Sequence, residues 1–538
     1  MESDVVPVSS AVVWPDGPGP APDLGQIQGN VLAGFNKDHQ TMIFLRFPEG
    51  TEARDWLDAV VDDIATTAEV KQFNDLFRAI HARRRSREQG ERPIVQAVWT
   101  NVAFTATGLG RLGVTEADSA SMSAAFNTGM AGRADVIGDL GANAPGGWRF
   151  GSARGQIDAV LIIAADSAHD LHDEIAHHHR QLSRHGIGIV FEQEGQTRTD
   201  NPGHEHFGFK DGISQPGIRG FTPQTGPDPN QGDPGQDLIW PGEFVLGYPT
   251  QTPASQTAGT YEDPQGEPRQ EDTNPAPVPA GAPNPGWLIN GSYLVIRRLT
   301  QDVEAFRTFV TEQAAAQQVK TTPGRLGAQL VGRWDSGAPL EPQAGDPLPP
   351  GVPDIDPSLA DPTLLADDHI NNFEFDDADG QLVPLAAHIR KVYPRNEATK
   401  LGGEADAERH RLLRRGIPFG LSYRGGAVPD SPRGAKAAYP HDRGLVFACY
   451  QASIEQQFEF VQQHWVNEPS FPEAGSGDPR PAAGQDPIIA QRDEQRSFSL
   501  PGGQPAELNP IAQFVTTTGG EYFFAPGLAA LEHFAGRS

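Results

Sequence analysis

Cysteine is almost missing from this chain. Cys449 is the only one among 538 residues, so no intrachain disulfide can form and no cysteine-built zinc or iron–sulfur site can be assembled. Such a chain tolerates a reducing compartment without requiring one. Long apolar runs are missing too: nowhere do eighteen apolar residues follow one another, which leaves no candidate for a membrane-spanning helix. The opening residues, Met1-Glu2-Ser3-Asp4-Val5-Val6-Pro7, lack the basic start and apolar core of a secretory leader. A cytoplasmic location is the expectation. Positive charge is also scarce: 42 Lys and Arg against 70 Asp and Glu leave a net charge of −28. That balance repels nucleic acid and anionic lipid, so neither is expected as a partner. The plain reading of the acidity is a well-solvated surface.

What is abundant is Gly and Pro, 60 and 48 residues, and their clustering divides the chain. Residues 1–22 read as a flexible tail. An N-terminal domain is expected over 23–225, a loop-rich linker or insertion over 226–286, and a C-terminal domain over 287–538 with insertions at about 334–368 and 469–507. Strands are predicted at 41–47 and 95–103, and a short helix at 106–112. Apolar residues at helical spacing (Trp56, Val60, Ile64, Phe73, Leu76, Phe77, Ile80) predict helix from 52 to about 84. One pattern then recurs three times: an apolar strand (159–164, 292–296, 445–450), a polar cap (Ser167, Thr300, Ser453) and an amphipathic helix. The third helix carries Ile454, Phe458, Val461 and Trp465 in one apolar stripe. Repeated strand–helix units with short strands predict an α+β fold, helices packed over antiparallel sheet.

Two stretches carry chemistry. The first runs Leu385-Ala386-Ala387-His388-Ile389-Arg390-Lys391-Val392-Tyr393-Pro394-Arg395 and continues, after a polar run, as Leu412-Leu413-Arg414-Arg415-Gly416-Ile417-Pro418-Phe419-Gly420. An imidazole, a cluster of cations and a separate guanidinium are the parts a haem site needs, although a lone His is more often packed or exposed than ligated. The second is His204-Glu205-His206-Phe207-Gly208-Phe209-Lys210-Asp211-Gly212-Ile213-Ser214-Gln215-Pro216. Its Gly-x-x-Asp-Gly core is short enough to arise by chance in a Gly-rich chain; the longer string ending Ile-Ser-Gln-Pro is far more specific.

Together the two stretches resemble the dye-decolorising peroxidases, a haem peroxidase family, in its long form with large loop insertions. The resemblance runs from Gln26 to Val466 and lapses in the insertions. It implies two ferredoxin-like domains, the first carrying the Gly-x-x-Asp-Gly loop and the second holding one haem b per chain. It implies Asp211 as distal acid and base, His388 as proximal iron ligand, and Arg414, the first of the Arg pair, as the distal cation. Arg390, Lys391 and Arg395 become candidates for the haem propionates, against the alternative of a basic surface turn. Leu445 and Phe447, on one strand face by period-two alternation, match apolar positions of the pocket, with core packing an equal reading. Hydrogen peroxide and small organic reductants such as dyes and phenols become the expected partners. Bulky reductants would deliver electrons through surface Trp or Tyr, of which there are eight each, none singled out by the sequence. The sequence departs from many members in Pro384-Leu385-Ala386-Ala387, which lacks their Cys or Gly, and in having no twin-arginine leader.

The chemistry asks for these residue types. Splitting peroxide heterolytically needs one group to carry a proton between its two oxygens, and a cation beside the developing negative charge. A carboxylate with a reference pKa near ~3.9 is ionised at neutral pH and can act as that base. A guanidinium stays cationic. The iron-bound His would give its other ring N–H to an acceptor that the sequence does not name. The rival functions are a haem-handling protein, carrier or iron-releasing, with little peroxidase turnover, and an interaction protein with a degenerate site. Among the remaining patterns, His204 and His206 rank behind His388 as iron ligands. The acidic loop Asp228 to Asp237 lacks the register of a calcium hand. His177-His178-His179 read as a solvated helix face, since consecutive helical side chains point ~100° apart and three in a row cannot meet at one ion.

Overall fold

The computed structural model describes residues 12–14, 17–19, 21–85, 96–251, 286–316, 321–343, 345–397, 399, 404–423, 442–472, 483–491, 496, 498–500, 506–508 and 511–537. Its centre is a nine-stranded sheet made of two halves with the same plan. In the first half, β1 (His39–Arg46) leads through α1 (Glu52–Val60) and α2 (Thr67–Arg85) to β2 (Val98–Phe104). From there β3 (Ala159–Ala165), α3 (Ala168–Arg184) and β4 (Gly188–Gln196) follow. The strands lie in the order β4-β1-β3-β2, all antiparallel.

The second half repeats this: β5 (Ser292–Gln301), α4 (Val303–Ala315), a split strand β6 (Leu413–Arg414) and β7 (Ile417–Phe419), β8 (Gly444–Gln451), a helix over 454–466, and β9 (Val515–Ala525). Here the order is β6/β7-β8-β5-β9. In each half the chain goes strand, helix, strand, strand, helix, strand, and the first and third strands are central. That is the ferredoxin-like arrangement, and it occurs twice. The halves join where Phe104 of β2 pairs with Phe524 of β9. Their outer edges also meet, with Gly195 of β4 against Ile417 of β7.

Alternation along the strands sorts the core into two layers. Met42, Phe44, Val160 and Ile162 point inward and meet Leu294, Ile296, Val446 and Phe523 of the other half. Ile43, Leu45, Leu161 and Ile163 point outward beneath Trp56, Leu57, Leu171 and Leu182 of α1 and α3. β3 is buried on both faces, which is why it reads as an unbroken apolar run.

Several expectations need correction. The helix predicted over 52–84 is two helices, because Val61–Asp63 tightens into a 3₁₀ turn and Ile64 bridges to Thr100 at the sheet. The cap of α4 is Asp302, whose side chain accepts from Ala305 N–H, since Thr300 is still part of β5. The helix over 454–466 buries its predicted stripe, yet it is wound as two π segments, Ile454–Glu459 and Val461–Val466. The insertion at 334–368 buries Trp334, Ala338, Leu340 and Val352 in a small core with Phe373, Phe375, Leu382 and Val383. Most of the expected tail and the 252–285 part of the expected linker lie outside the described residues. Within the tail, Val12–Trp14 pairs with Gly17–Gly19. No helix among the described residues is long and apolar enough to cross a membrane.

Candidate active site

The outer face of the second half-sheet forms one wall of a cavity of about 220 Å³. Period-two alternation places Arg297, Leu299 and Gln301 of β5, Leu445 and Phe447 of β8 and Val515 of β9 on that wall. Phe458, Val461, Gln462 and Val466 of the π-wound helix cover it. The remaining sides come from the loop 207–214, from α6 (His388–Val392) together with Tyr393, and from Ile488, Ile489 and Gln491. An α5 helix, Pro323–Val331, contributes Val331 at its end, followed by Arg333.

His388, Asp211 and Arg414, far apart in the chain, all line this cavity. The His388 ring gives Nδ1 to Asp486 Oδ2 at 2.8 Å, which leaves Nε2 as the nitrogen available to a metal. Asp486 is fully buried, and its other oxygen accepts from the backbone N–H groups of Ile488 and Ile489 at 2.7 and 2.9 Å. Burial opposes its charge, but His388 and those amides hold its pKa below the usual value. Asp486 in turn raises that of His388 against the effect of burial.

Asp211 accepts from Arg414 Nη1 at 2.7 Å and from Gly212 N–H at 2.6 Å. Burial pushes the carboxyl upward; the Arg414 charge and these two hydrogen bonds outweigh it and hold Asp211 below the ordinary carboxylate range. Gly212 sits at φ +79°, a conformation that costs a side-chain-bearing residue energy. The Gln215 side chain donates to the carbonyl of Arg414 at 3.0 Å and accepts from its N–H at 3.1 Å. This binds β6 to the Asp211 loop as a further strand would. Arg414 Nη2 donates to Ser214 O at 3.0 Å. Arg415 points elsewhere: it donates to the carbonyls of Asn30, Val31 and Leu32. A second, more polar cavity of about 480 Å³ adjoins the first, and Asp211, Gly212 and Arg414 belong to both linings.

Comparison with known proteins gives the family. Residues 26–199 match the family described as the DyP dimeric alpha+beta barrel domain, and residues 255–473 the Dyp-type peroxidase C-terminal family. A dye-decolorizing peroxidase of Mycetinis scorodonius is 30% identical over 529 residues, 95% of this chain and 87% of its own. This chain belongs to the dye-decolorising peroxidase family. Among solved structures, an ancestral D-type dye-decolorizing peroxidase superposes with a TM-score of 0.71 at 32% identity, covering 95% of this chain and 99% of that one. A single-site mutant of the dye-decolorizing peroxidase from Pleurotus ostreatus gives 0.73 at 29% identity, covering 96% and 99%. The protein is therefore a peroxidase of the dye-decolorising type, an enzyme that reduces hydrogen peroxide at the expense of organic reductants, and its family is haem-dependent.

The cavity fits haem on its own evidence. Its walls are mainly apolar, and one anchored imidazole faces into it. Its wall also contains a guanidinium that has no carboxylate partner among the described residues: Arg333 is buried and donates to neutral acceptors, the carbonyls of Gly337 and Ile370, Ser214 Oγ and Asn371 Oδ1. Burial, then the like charges of Arg395 and Arg414, lower its pKa well below the ordinary value. A buried cation in that position calls for an anion, and a propionate is one.

The other predicted cations are placed differently. Arg390 is not in the cavity wall. It is fully buried and bonded to Glu397, Val383 O and Asp377 O. Lys391 donates to the carbonyls of Glu468 and Phe471, and burial pushes its pKa down to about 7. The helical turn explains both, because His388, Ile389 and Val392 share the face toward the cavity and positions 390 and 391 point away. Arg395 stands behind the wall, donating to Asn371 Oδ1 at 2.8 Å. His206 is buried against Phe419 O and His204 bonds Pro202 O, so neither competes with His388 in the cavity. Asp237 turns to Arg411 at 3.0 Å and lies beside Glu404 and Glu408.

Two residues escaped the sequence reading. Asp486 lies in the segment expected as an insertion at about 469–507, and Arg333 follows a short helix with no motif around it. No sequence signal marks either, since each acquires its role only through what surrounds it.

Proposed function

We propose that His388 is the proximal ligand of one haem b, with Asp486 holding its Nδ1–H, and that Asp211 and Arg414 form the distal pair. Arg333, with Arg395 behind it, is assigned to a propionate. The observation that carries this reading is that an anchored imidazole and a bonded carboxylate–guanidinium pair line one apolar cavity. Haem b, when bound, supplies the redox-active iron at which peroxide is reduced.

The chain's own residues do the rest. Peroxide enters from the polar cavity, whose lining shares Asp211 and Arg414. Asp211, kept ionised by Arg414, takes a proton from one peroxide oxygen at its carboxylate and returns it to the oxygen that leaves as water. Arg414, held in place by Asp211 and Ser214 O, offers a fixed cation to the negative charge that develops as the bond breaks. Leu445, Phe447 and Phe458 give the larger part of the cavity an apolar lining. Dyes and phenols are the reductants that fit the family likeness.

The test is the visible spectrum of the purified protein before and after one equivalent of hydrogen peroxide. Wild type is expected to show a Soret band that shifts on adding peroxide, and His388→Ala to lose the band. Asp211→Asn and Arg414→Leu should keep the band and lose most of the peroxide reactivity, on the order of 10²-fold or more. Full activity in both would overturn the assignment.

A further inference from the structure

Helix α3 carries five histidines, His169, His172, His177, His178 and His179, and the peroxidase chemistry uses none of them. The structure separates the consecutive three. His179 reaches Glu192 on β4 at 2.7 Å. His177 and His178 instead come together with Asp63, the last residue of the 3₁₀ turn that follows α1. One ligand atom from each of Asp63, His177 and His178 lies within 4.8 Å of the other two.

Two details make this more than a crowded surface. His177 Nε2 and Asp63 Oδ2 are 3.5 Å apart. That is long for an N–H···O hydrogen bond, yet close to the ~3.3 Å that separates two ligands of a tetrahedral ion with bonds of about 2.0–2.1 Å. His178, in turn, is fully buried. Its Nε2 faces Glu174 Oε1 at 3.2 Å and Thr100 Oγ1 at 3.4 Å, while its Nδ1 is buried without a hydrogen-bond partner among the described residues. Buried ring nitrogens are ordinarily satisfied. A carboxylate on one ring nitrogen, with the other left unpartnered, is the state of a histidine prepared to bind a metal: the acid fixes the tautomer and aims the lone pair. Asp63 and His177 each keep 39% of their side chains exposed, so an ion can enter from solvent and keep a water ligand.

We propose that Asp63, His177 and His178 bind a late first-row divalent cation, zinc(II) foremost. The ligands are Nε2 of His177, Nδ1 of His178 and a carboxylate oxygen of Asp63, with Glu174 as the positioning residue. Two imidazoles and one carboxylate suit zinc, copper or nickel, whereas calcium and magnesium want oxygen ligands. The ion ties α3 to the connection between α1 and α2, and so fastens the outer helical layer of the first half-sheet. None of these residues lines the peroxidase cavity.

The test is a calorimetric titration of zinc(II) into the full-length, haem-loaded, tag-free protein after treatment with a chelator. One saturable site with a Kd of about 10 µM or tighter is expected. His177→Gln and Asp63→Asn should each weaken it at least about tenfold, and together abolish it. Glu174→Gln should weaken it by about tenfold through loss of the fixed tautomer. His172→Gln, on the same helix but outside the cluster, should change nothing. His178 belongs to the helix–sheet contact and is left intact; the copper(II) electron paramagnetic resonance signal reports on it instead. That signal should show two imidazole nitrogens in wild type and one in His177→Gln. Zinc should raise the melting temperature of wild type and not of the double variant, with peroxidase activity equal in both. Absence of a saturable site below about 100 µM, or wild-type affinity in His177→Gln and Asp63→Asn, would overturn the proposal.

Discussion

Asp211 shows how a single residue's behaviour is set by what touches it. Burial alone would raise its pKa; Arg414 and the Gly212 amide bring it below the reference value. In the proposed mechanism the carboxylate is the working base, so activity is present above its folded pKa and is lost as the pH falls through it. The acid limb of the second-order rate with peroxide should therefore lie below that of an ordinary carboxylate. In Arg414→Leu the largest effect opposing burial is gone and the Gly212 amide remains, so the acid limb of the residual activity should move to higher pH. A pH–rate profile of both proteins measures this, and coincident acid limbs would refute it. Asp486 is the matching case on the other side of the cavity. Asp486→Asn removes the anion behind His388, and a loss of roughly tenfold or more in haem affinity or turnover is expected, read by haem transfer to an acceptor protein and by steady-state kinetics. Arg333→Met should likewise lower haem retention while leaving Asp211 and Arg414 in place.

At the scale of elements, the site depends on a loop and a very short strand being held in register. β6 spans only Leu413–Arg414 and pairs with Tyr450 and Cys449 of β8 along one edge. Its other edge is taken by the Gln215 side chain. Gln215→Ala removes two hydrogen bonds, each worth about 1 kcal/mol, and frees the backbone that aims Arg414. The rate with peroxide should fall by about tenfold or more while the Soret band stays unchanged; an unaltered rate would show that β8 alone positions Arg414. The Ile-Ser-Gln-Pro motif was legible in the sequence as a marker of family, but its physical task, completing a strand edge with a side chain, was not. The π winding over 454–466 was equally out of reach, because its apolar stripe satisfies an α-helical pattern too.

For the molecule as a whole, the acidic composition has a thermodynamic counterpart in a set of buried and half-buried glutamates. Glu243, Glu341, Glu374, Glu408 and Glu521 are each raised to about 7, with burial the leading cause. Between pH ~4.5 and ~7 the unfolded chain ionises these groups while the folded chain keeps them protonated, so stability falls as pH rises through that window. Glu521 accepts from the N–H groups of Met130 and Tyr522, and glutamine can take over that acceptance without a charge. Glu521→Gln should therefore raise stability at neutral pH by roughly 1–3 kcal/mol and leave it nearly unchanged at pH ~4.5. Denaturant unfolding at the two pH values checks this; an equal effect at both would mean that ionisation is not the cause.

The sequence by itself determined the fold class and the family's peroxidase chemistry, and its motifs pointed to Asp211, His388 and Arg414, the three residues proposed to carry it. These are properties of local pattern: strand and helix periods repeat along the chain, and the motifs are contiguous strings whose residue types the chemistry demands. Only the tertiary structure decided that Arg390 and Lys391 face away from the cavity, that Asp486 from a distant loop bonds His388, and that Arg333 has only neutral hydrogen-bond partners among the described residues. It also brought two of three consecutive histidines to Asp63. In each case the role is fixed by burial and by neighbours up to a hundred residues or more away in the chain, and neither is written in the local order of residues.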